Sequence, residues 1–164
     1  MNLPPTASSG DPFAAILAVP FGAFGIRVAG NVIHELVFLP PGTPAMPPDC
    51  ALAERAAAQI HAWLEDPNHP FDLPLATRGT VFQRRVWDAI AAIPRGETRQ
   101  YAHLSKALAS AARAVGQACR ANPFPLVIPC HRVVSATGIG GFAGASGGYL
   151  IDAKHWLLAF EANQ

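Results

Sequence analysis

The sequence is poor in cysteine, in charge and in long apolar runs, and each shortage excludes a class of protein. Only three of its 164 residues are cysteines, an odd number without C-x-x-C spacing, which argues against a disulfide framework and a cysteine-rich metal centre. Charged residues are scarce at 14%, but the hydrophobic content of 51% is too high for a disordered chain. The composition therefore predicts a globular protein with a packed core in a reducing compartment.

The patterns of targeting signals and membrane spans are also missing. Residues Met1 to Gly10 contain no basic residue and no apolar stretch, so we expect no secretory signal. Proline and glycine interrupt every apolar run before it reaches the length of a membrane span. We expect a protein without membrane contact that resides in the cytoplasm.

The formal net charge of +1 is the balance of two unequal halves. Up to Thr77 two basic residues stand against seven acidic ones, a net charge of −5, whereas the remainder has ten basic and four acidic residues, a net charge of +6. The near-neutral total excludes a uniformly basic nucleic-acid binder. The positive half can still meet phosphates.

The first half of the chain predicts a small antiparallel sheet covered by a helix, which places the fold in the α+β class. Residues Gly30 and Asn31 form a favoured two-residue hairpin turn. Apolar residues recur at helical spacing between Asp49 and Leu64. The three strands are expected at Phe13 to Val19, Phe24 to Val28 and Val32 to Leu39.

The second half predicts a mainly helical domain. Thr80 and Gln83 form a capping box at the start of a helix. Two short helices joined by a tight turn, with Ser110 as the expected N-cap of the second, resemble a helix-turn-helix. Asp152 is the expected N-cap of the last helix. We predict an N-terminal structural domain over residues 1–75 and a C-terminal domain over residues 76–164. The helices of the helix-turn-helix are expected at Tyr101 to Leu108 and Ala111 to Arg120.

Cys130 is the first candidate for chemistry, against the alternative of a buried structural thiol. Pro129 fixes the approaching backbone, His131 is the next residue and Arg132 adds positive charge, and such surroundings favour a thiolate. Adjacent side chains point in different directions, so His131 would act as a base through a bridging water. Glu161 could orient His131 if the last helix packs against this turn; otherwise it is a solvated helix end. Lys154 shares a helix face with Glu161, because seven residues are two turns.

Four more residues have both a functional and an ordinary interpretation. Arg113 in the first turn of the second short helix is electrostatically unfavourable there, which suggests a ligand, although a surface charge is the simpler explanation. Gly116 allows close backbone approach. Tyr101 is either part of the core or a phenol offered to a phosphate or leaving group. Asn122 either caps a turn or braces the Cys130 segment.

Several sequence blocks resemble the O6-alkylguanine-DNA alkyltransferases, also called methylated-DNA–protein-cysteine methyltransferases. They follow the order of that family over residues 79–161, and the Pro-Cys-His-Arg-Val block is highly specific. The blocks are Gly79-Thr80-Val81-Phe82-Gln83 with Val86-Trp87, Ile93-Pro94-Arg95-Gly96-Glu97-Thr98, Arg113-Ala114-Val115-Gly116, Asn122-Pro123, Ile128-Pro129-Cys130-His131-Arg132-Val133, and Lys154 with Trp156-Leu157-Leu158 and Glu161.

The resemblance implies DNA repair by direct reversal of damage, with no cofactor and no metal. Cys130 would accept the alkyl group irreversibly, so that one molecule repairs one lesion. His131, acting through a water, would be its base, and Glu161 would orient His131. Asn122 would support the segment by hydrogen bonds, and Lys154 would stand beside the site.

The resemblance also implies double-stranded DNA as the partner of a monomer, approached through the minor groove with the O6-alkylguanine flipped out. Arg113 would replace the flipped base in the stack, which offsets part of the few kcal/mol that extrusion costs. Tyr101 would help rotate the nucleotide and donate a hydrogen bond to the leaving guanine oxygen. Arg120, Gly116 and Ser110 complete the expected DNA-binding set.

Two departures from the family pattern concern the pocket wall. Phe142 stands where many members have tyrosine, and the loop from Gly144 to Lys154 is about five residues longer than in the shortest members. The nearest alternative function is a non-catalytic protein that binds alkylation damage, which the presence of Cys130 opposes. A helix-turn-helix regulator would leave the Cys-His-Glu set unexplained, and a cysteine hydrolase would lack an evident oxyanion loop.

Overall fold

A computed structural model describes residues 12–163, so the predictions for Met1 to Gly10 lie outside the described residues. The chain divides into two units, one ending at Thr77 and the other starting at Arg78. The sequence predicts domains over residues 1–75 and 76–164 that have different functions. This division of function stays a prediction. No helix among the described residues is long and apolar enough to cross a membrane.

The first unit contains a three-stranded antiparallel sheet in the order β1-β2-β3. Strands β2 and β3 are joined by the predicted turn at Gly30 and Asn31, where Gly30 adopts a φ of 60° that suits glycine. Helix α1 contacts all three strands and buries one face with Ile60 and Trp63. The predicted antiparallel sheet with one covering helix is therefore confirmed. The elements are β1 (Ala15–Val19), β2 (Gly22–Ala29), β3 (Val32–Leu39) and α1 (Ala51–Glu65).

The second unit is mainly helical, as predicted. The capping box is confirmed, since the Thr80 hydroxyl accepts from the Gln83 amide at 3.0 Å and the Gln83 side chain accepts from the Thr80 amide at 2.9 Å. The Trp87 indole donates to the Ala118 carbonyl at 2.8 Å, which ties the first α-helix of this unit to its third. The helices are α2 (Val81–Ala91), α3 (Tyr101–Ala107), α4 (Ala112–Arg120) and α5 (Tyr149–Ala162).

The turn between α3 and α4 differs from the prediction. Ala111, not Ser110, is the N-cap of α4, and no side chain caps this helix end. The turn requires a left-handed backbone at Ala109, with a φ of 54°, and this directs the Ser110 amide back to the Ser105 carbonyl at 2.8 Å. The Ser110 amide therefore closes the turn, and Ser110 lies one residue before the N-cap position of the helix.

The start of the last helix is also corrected. Gly148, not Asp152, is the N-cap of α5, and its φ of 79° suits glycine. The three residues before Asp152 already have helical geometry, because Tyr149, Leu150 and Ile151 continue the glycine-rich loop directly into the first turn. Asp152 lies within that first turn, where its negative charge complements the helix dipole.

A feature that the sequence pattern did not predict positions the candidate site. Two short parallel strands, β4 (Arg99–Gln100) and β5 (Val133–Val134), pair through Arg99 with Val133 and through Gln100 with Val134. Helix α3 starts immediately after β4, and a single 3-10 turn, Cys130–Arg132, comes immediately before β5. The parallel pairing therefore brings the first residue of α3, Tyr101, beside the turn that carries Cys130.

Candidate active site

The predicted residues converge on one cavity of about 310 Å³ in the second unit. Cys130 lies at its base, 6% exposed. Loop residues 141–146 form one wall of the cavity, and helices α3 and α4 supply Tyr101, Arg113, Gly116, Cys119 and Arg120. A reactive thiol, a phenol and two cations therefore share one concave surface, the type of place where ligands bind.

The Cys130 thiol is held by hydrogen bonds from both sides. Its Sγ donates to the Cys119 carbonyl at 3.7 Å, and the Asn122 side-chain amide donates to Sγ at 3.1 Å. The same amide donates to the Ile128 carbonyl at 2.8 Å, and the Asn122 side-chain oxygen Oδ1 accepts from the Phe124 backbone amide at 2.8 Å. Asn122 thus braces the segment that leads into Cys130, as its functional interpretation suggested.

The surroundings of Cys130 favour the thiol and not the predicted thiolate. The neighbouring Cys119 side chain and burial raise the pKa of Cys130 well above the ordinary value, although Asn122 and Lys154 act in the opposite direction. The prediction relied on Arg132 as a nearby positive charge, but that charge is neutralised by Glu161. A base must therefore remove the proton when Cys130 reacts.

Glu161 is buried between His131 and Arg132, so the last helix does pack against this turn. Its Oε1 lies 3.0 Å from His131 Nε2, a close contact that falls outside the angular range of a hydrogen bond. Arg132 donates from Nε to Oε1 at 3.0 Å and from Nη2 to Oε2 at 2.5 Å, and from Nη1 to the Ile93 carbonyl at 2.7 Å. The carboxylate is shared between a cation and an imidazole, away from solvent.

This arrangement keeps His131 neutral and Glu161 ionised. Burial lowers the pKa of His131, and Glu161 only partly opposes this effect. Burial would raise the pKa of Glu161, but the contacts with His131 and Arg132 prevail and lower it to about 2. A neutral imidazole beside Cys130, held against a carboxylate, is able to take up a proton.

Lys154 is completely buried beneath the loop that walls the cavity. Its Nζ donates to the Val133 carbonyl at 2.7 Å, to the Gly141 carbonyl at 3.0 Å and to the Ile139 carbonyl. Burial lowers the pKa of Lys154 to about 8, although attraction to Cys119 and Cys130 opposes the shift. The lysine therefore fixes the loop to α5 and β5 and adds positive potential near the two sulfurs.

Tyr101 lines the cavity as a half-buried phenol. Burial, followed by the nearby Cys119 and Cys130, raises the pKa of Tyr101 to about 12. The hydroxyl is consequently protonated across the physiological range. It is available as a hydrogen-bond donor to a group that enters the cavity.

Arg113 and Gly116 occupy the face of α4 that borders the cavity. The structure gives Arg113 an exposed side chain in the first turn of the helix. A side chain added at Gly116 would meet no atom within 4 Å, so the helix surface is open there. Ser110 belongs to the preceding turn and is not among the residues that line the cavity.

Arg120 reaches the loop opposite α4. Its guanidinium lies against Gly144, so closely that a Cβ on that glycine would stand 2.7 Å from Nε. Phe142 is buried in the same wall, in the position where the family pattern often has tyrosine. The mouth of the cavity is therefore bounded by a cation on one side and a glycine-rich loop on the other.

Sequence reasoning missed two residues of this site. Arg132 was predicted only as a nearby charge, and its pairing with Glu161, the residue expected to orient His131, was not predicted. Cys119 was not considered at all. It lies eleven residues before Cys130, in a different element, and only the packing of α4 brings them together.

This chain is similar to known proteins in both sequence and structure. A family model described as 6-O-methylguanine DNA methyltransferase, DNA binding domain, matches residues 81–163. A methylated-DNA–protein-cysteine methyltransferase of Mycobacterium bovis is 36% identical over 152 residues, covering 88% of this chain and 89% of the relative. A probable methylated-DNA–protein-cysteine methyltransferase of Acanthamoeba polyphaga mimivirus is 43% identical over 105 residues, or 62% of this chain and 67% of the relative.

Solved structures give the same picture for the fold. The crystal structure of the Mycobacterium tuberculosis O6-methylguanine methyltransferase is similar with a TM-score of 0.74 and 34% identity, covering 90% of this chain and 91% of the other. The protein of that organism in complex with DNA gives a TM-score of 0.72 and 33% identity, with 90% and 92% covered.

Proposed function

Since this chain belongs to the family of the methylated-DNA–protein-cysteine methyltransferases, and is a DNA-repair enzyme that acts by alkyl transfer, we propose that Cys130 is its alkyl acceptor and O6-alkylguanine in duplex DNA its substrate. The observation that carries the proposal is the position of the Cys130 thiol. It lies at the base of a cavity lined by Tyr101 and Arg113, with His131 and Glu161 adjacent.

The transfer is a displacement at the alkyl carbon. A base removes the thiol proton, the Cys130 sulfur attacks the carbon, the new S–C bond forms and the bond between carbon and guanine O6 breaks. His131 is the base, through a water that spans the distance between adjacent side chains, and Glu161 holds the imidazole and stabilises its protonated form. The thioether that results is not hydrolysed, so each molecule reacts once.

Guanine departs with the electron pair of the broken bond, and Tyr101 supports this departure. The raised pKa of Tyr101 keeps its hydroxyl protonated. A hydrogen bond from that hydroxyl to the purine stabilises the developing negative charge, which would otherwise make guanine a poor leaving group.

Access to O6 requires the damaged nucleotide to leave the duplex. Helix α4 presents small residues and the open surface at Gly116, which suits close approach to the floor of the minor groove. Arg113 projects from the first turn of this helix and fills the space left by the flipped base. Arg120 contacts a DNA phosphate, and Ser110, in the turn that precedes α4, lies near the DNA backbone.

A single copy of the chain contains all the residues that this mechanism uses, so the active species is a monomer. Its substrate is DNA, and the cytoplasmic location predicted from the sequence belongs to the same proposal.

The test of the acceptor is the intact mass of the full chain after incubation with a duplex that contains one O6-methylguanine. We expect one added methyl group, located on Cys130 by peptide mapping. Cys130→Ala should bind the duplex and take up no methyl group, whereas Cys50→Ala, which alters the cysteine of the first unit, should behave as the original chain. If the unsubstituted chain binds the duplex tightly but takes up no methyl group, the proposal is wrong and the chain is a damage-binding protein.

The test of base flipping compares two substrates. Arg113→Ala should slow transfer from duplex DNA strongly and leave transfer from the free base O6-benzylguanine nearly unchanged, since a free base needs no extrusion. An equal loss with both substrates would contradict the role given to Arg113.

A further inference from the structure

Cys119 is a second thiol in the cavity that the proposed mechanism does not use. It lies in the last turn of α4, half-exposed, and it lines the same cavity as Cys130. The Cys130 sulfur donates to the Cys119 carbonyl oxygen at 3.7 Å, and the two side chains are close enough to shift each other's pKa. Both thiols are free.

The placement of both cysteines in one cavity suits a disulfide. A disulfide forms when two Cβ atoms come within about 4 Å and the sulfurs can turn toward each other. Cys119 and Cys130 line one cavity, and the Cys130 sulfur lies 3.7 Å from the Cys119 carbonyl oxygen, so side-chain rotation can turn the two sulfurs toward each other.

The two thiols also differ in pKa and in exposure, and this difference indicates which of them is oxidised first. Its hydrogen bond with Cys130 and the positive charge of Lys154 lower the pKa of Cys119, although burial opposes the shift. The pKa of Cys130 is raised by the same contact and by burial. Cys119 is therefore the more acidic thiol of the pair, and it is also the more accessible of the two.

We propose that Cys119 is a modification site, a second reactive thiol that a hydroperoxide oxidises and that Cys130 then resolves as a disulfide.

The chemistry balances with hydrogen peroxide or an organic hydroperoxide as the oxidant. The Cys119 sulfur attacks one peroxide oxygen, the S–O bond forms and the O–O bond breaks, and the departing oxygen takes up a proton as water or an alcohol. The Cys130 sulfur then attacks the sulfenic acid, the S–S bond forms, and hydroxide leaves with the Cys130 proton as water. Two thiols are oxidised to one disulfide and one peroxide is reduced.

The consequence for repair rests on the proposed role of Cys130. A disulfide would withhold the alkyl acceptor during oxidative conditions and protect it from irreversible oxidation, and a dithiol would return it. Because the acceptor reacts only once, a reversible block would preserve molecules that direct overoxidation would destroy.

The experiment treats the full-length chain with a small excess of hydrogen peroxide, blocks the remaining thiols and maps the peptides by mass. We expect a cross-linked peptide pair containing Cys119 and Cys130, a loss of two hydrogens in the intact mass, and loss of methyl transfer that dithiothreitol restores. In Cys119→Ser and in Cys119→Ala the cross-link should be absent, and dithiothreitol should not restore the activity that peroxide removes. Cys50→Ser is the matched control and should form the cross-link normally.

The proposal is overturned if the unsubstituted chain gives no Cys119–Cys130 cross-link, or if it and the Cys119 variants lose activity equally and irreversibly. Failure of the proposed function is a separate result, because methyl uptake by the reduced chain is measured without peroxide. The cross-link itself is read from peptide masses and does not depend on any activity.

Discussion

Glu161 shows how a single side chain organises the candidate site at the residue scale. It is 2% exposed, yet it carries a charge, and that charge is tolerated because Arg132 contacts both carboxylate oxygens. Removing either partner of a buried pair leaves the other charge uncompensated, which costs more than the pair itself contributes. The turn that holds Cys130 is thus anchored to α5 by electrostatics as well as by packing.

The pKa of Glu161 makes this anchor sensitive to acid. A carboxyl whose pKa is lower in the folded chain than in the unfolded chain stabilises the fold above its ordinary value of 4.5, and the contribution disappears as the pH falls toward about 2. We expect the free energy of unfolding to decrease over this interval, measured by urea denaturation at successive pH values. Glu161→Gln should be less stable at pH 7 and should show a shallower decrease. Parallel curves for the two proteins would contradict this account of Glu161.

The helices of the second unit begin in different ways. Helix α2 begins with a complete capping box, whereas α3 and α4 begin with no side-chain cap. The helices that present Tyr101 and Arg113 are therefore held mainly by packing. Their contacts with each other and the contact of α4 with α2 supply it.

Thr80 should contribute measurably to stability through the cap of α2. Thr80→Ala removes the hydroxyl that accepts from Gln83, and we expect a loss of about 1 kcal/mol in the free energy of unfolding. The measurement is thermal or chemical denaturation. Thr77→Ala, an exposed threonine three residues earlier, is the matched control and should change stability by less than about 0.5 kcal/mol. Equal losses in both variants would rule out a specific capping effect.

Ala109 is the strained point of the helix-turn-helix. A non-glycine residue in the left-handed region costs about 1–2 kcal/mol, while the greater freedom of glycine in the unfolded chain costs about 0.4–1 kcal/mol. Ala109→Gly should therefore raise the free energy of unfolding by up to about 1.6 kcal/mol. Ala58→Gly, inside α1, should lower it by about 1 kcal/mol. Destabilisation by Ala109→Gly would show that the turn is not strained.

At the scale of the whole molecule, the distribution of charge matters more than its sum. The unit that begins at Arg78 carries the excess of basic residues, and it also contains the cavity, Arg113 and Arg120. The unit that ends at Thr77 is acidic. Attraction to phosphate is thereby concentrated on the unit that holds Cys130, while the net charge of the chain stays near zero.

DNA affinity should consequently depend on salt through the second unit. The logarithm of the association constant should fall linearly with the logarithm of the salt concentration, with a slope of about −0.9 for each neutralised phosphate. Arg120→Gln should reduce the magnitude of this slope by about 1, measured by fluorescence anisotropy at several salt concentrations. Arg55→Gln, in the acidic unit, should leave the slope unchanged. A slope unaffected by Arg120→Gln would remove Arg120 from the DNA interface.

The elements that depend on local pattern were predictable from the sequence. The hairpin at Gly30, the box at Thr80 and the amphipathic stretches each follow from residues a few positions apart, and the structure confirms them. Helix starts were less predictable, because Ser110 and Asp152 have capping chemistry but the turns before them decide where each helix begins.

The sequence by itself determined the family and the fold class, and it singled out the thiol that we propose as the alkyl acceptor, since these depend on ordered blocks and residue types. Tertiary structure decided the state of that thiol. Pairing of Arg132 with Glu161 removes the positive charge that the sequence places beside Cys130, and the packing of α4 puts Cys119 against it. The pKa of Cys130 and the position of the Cys119 sulfur beside it depend on distances between residues that are far apart in the sequence. Only the folded chain sets those distances.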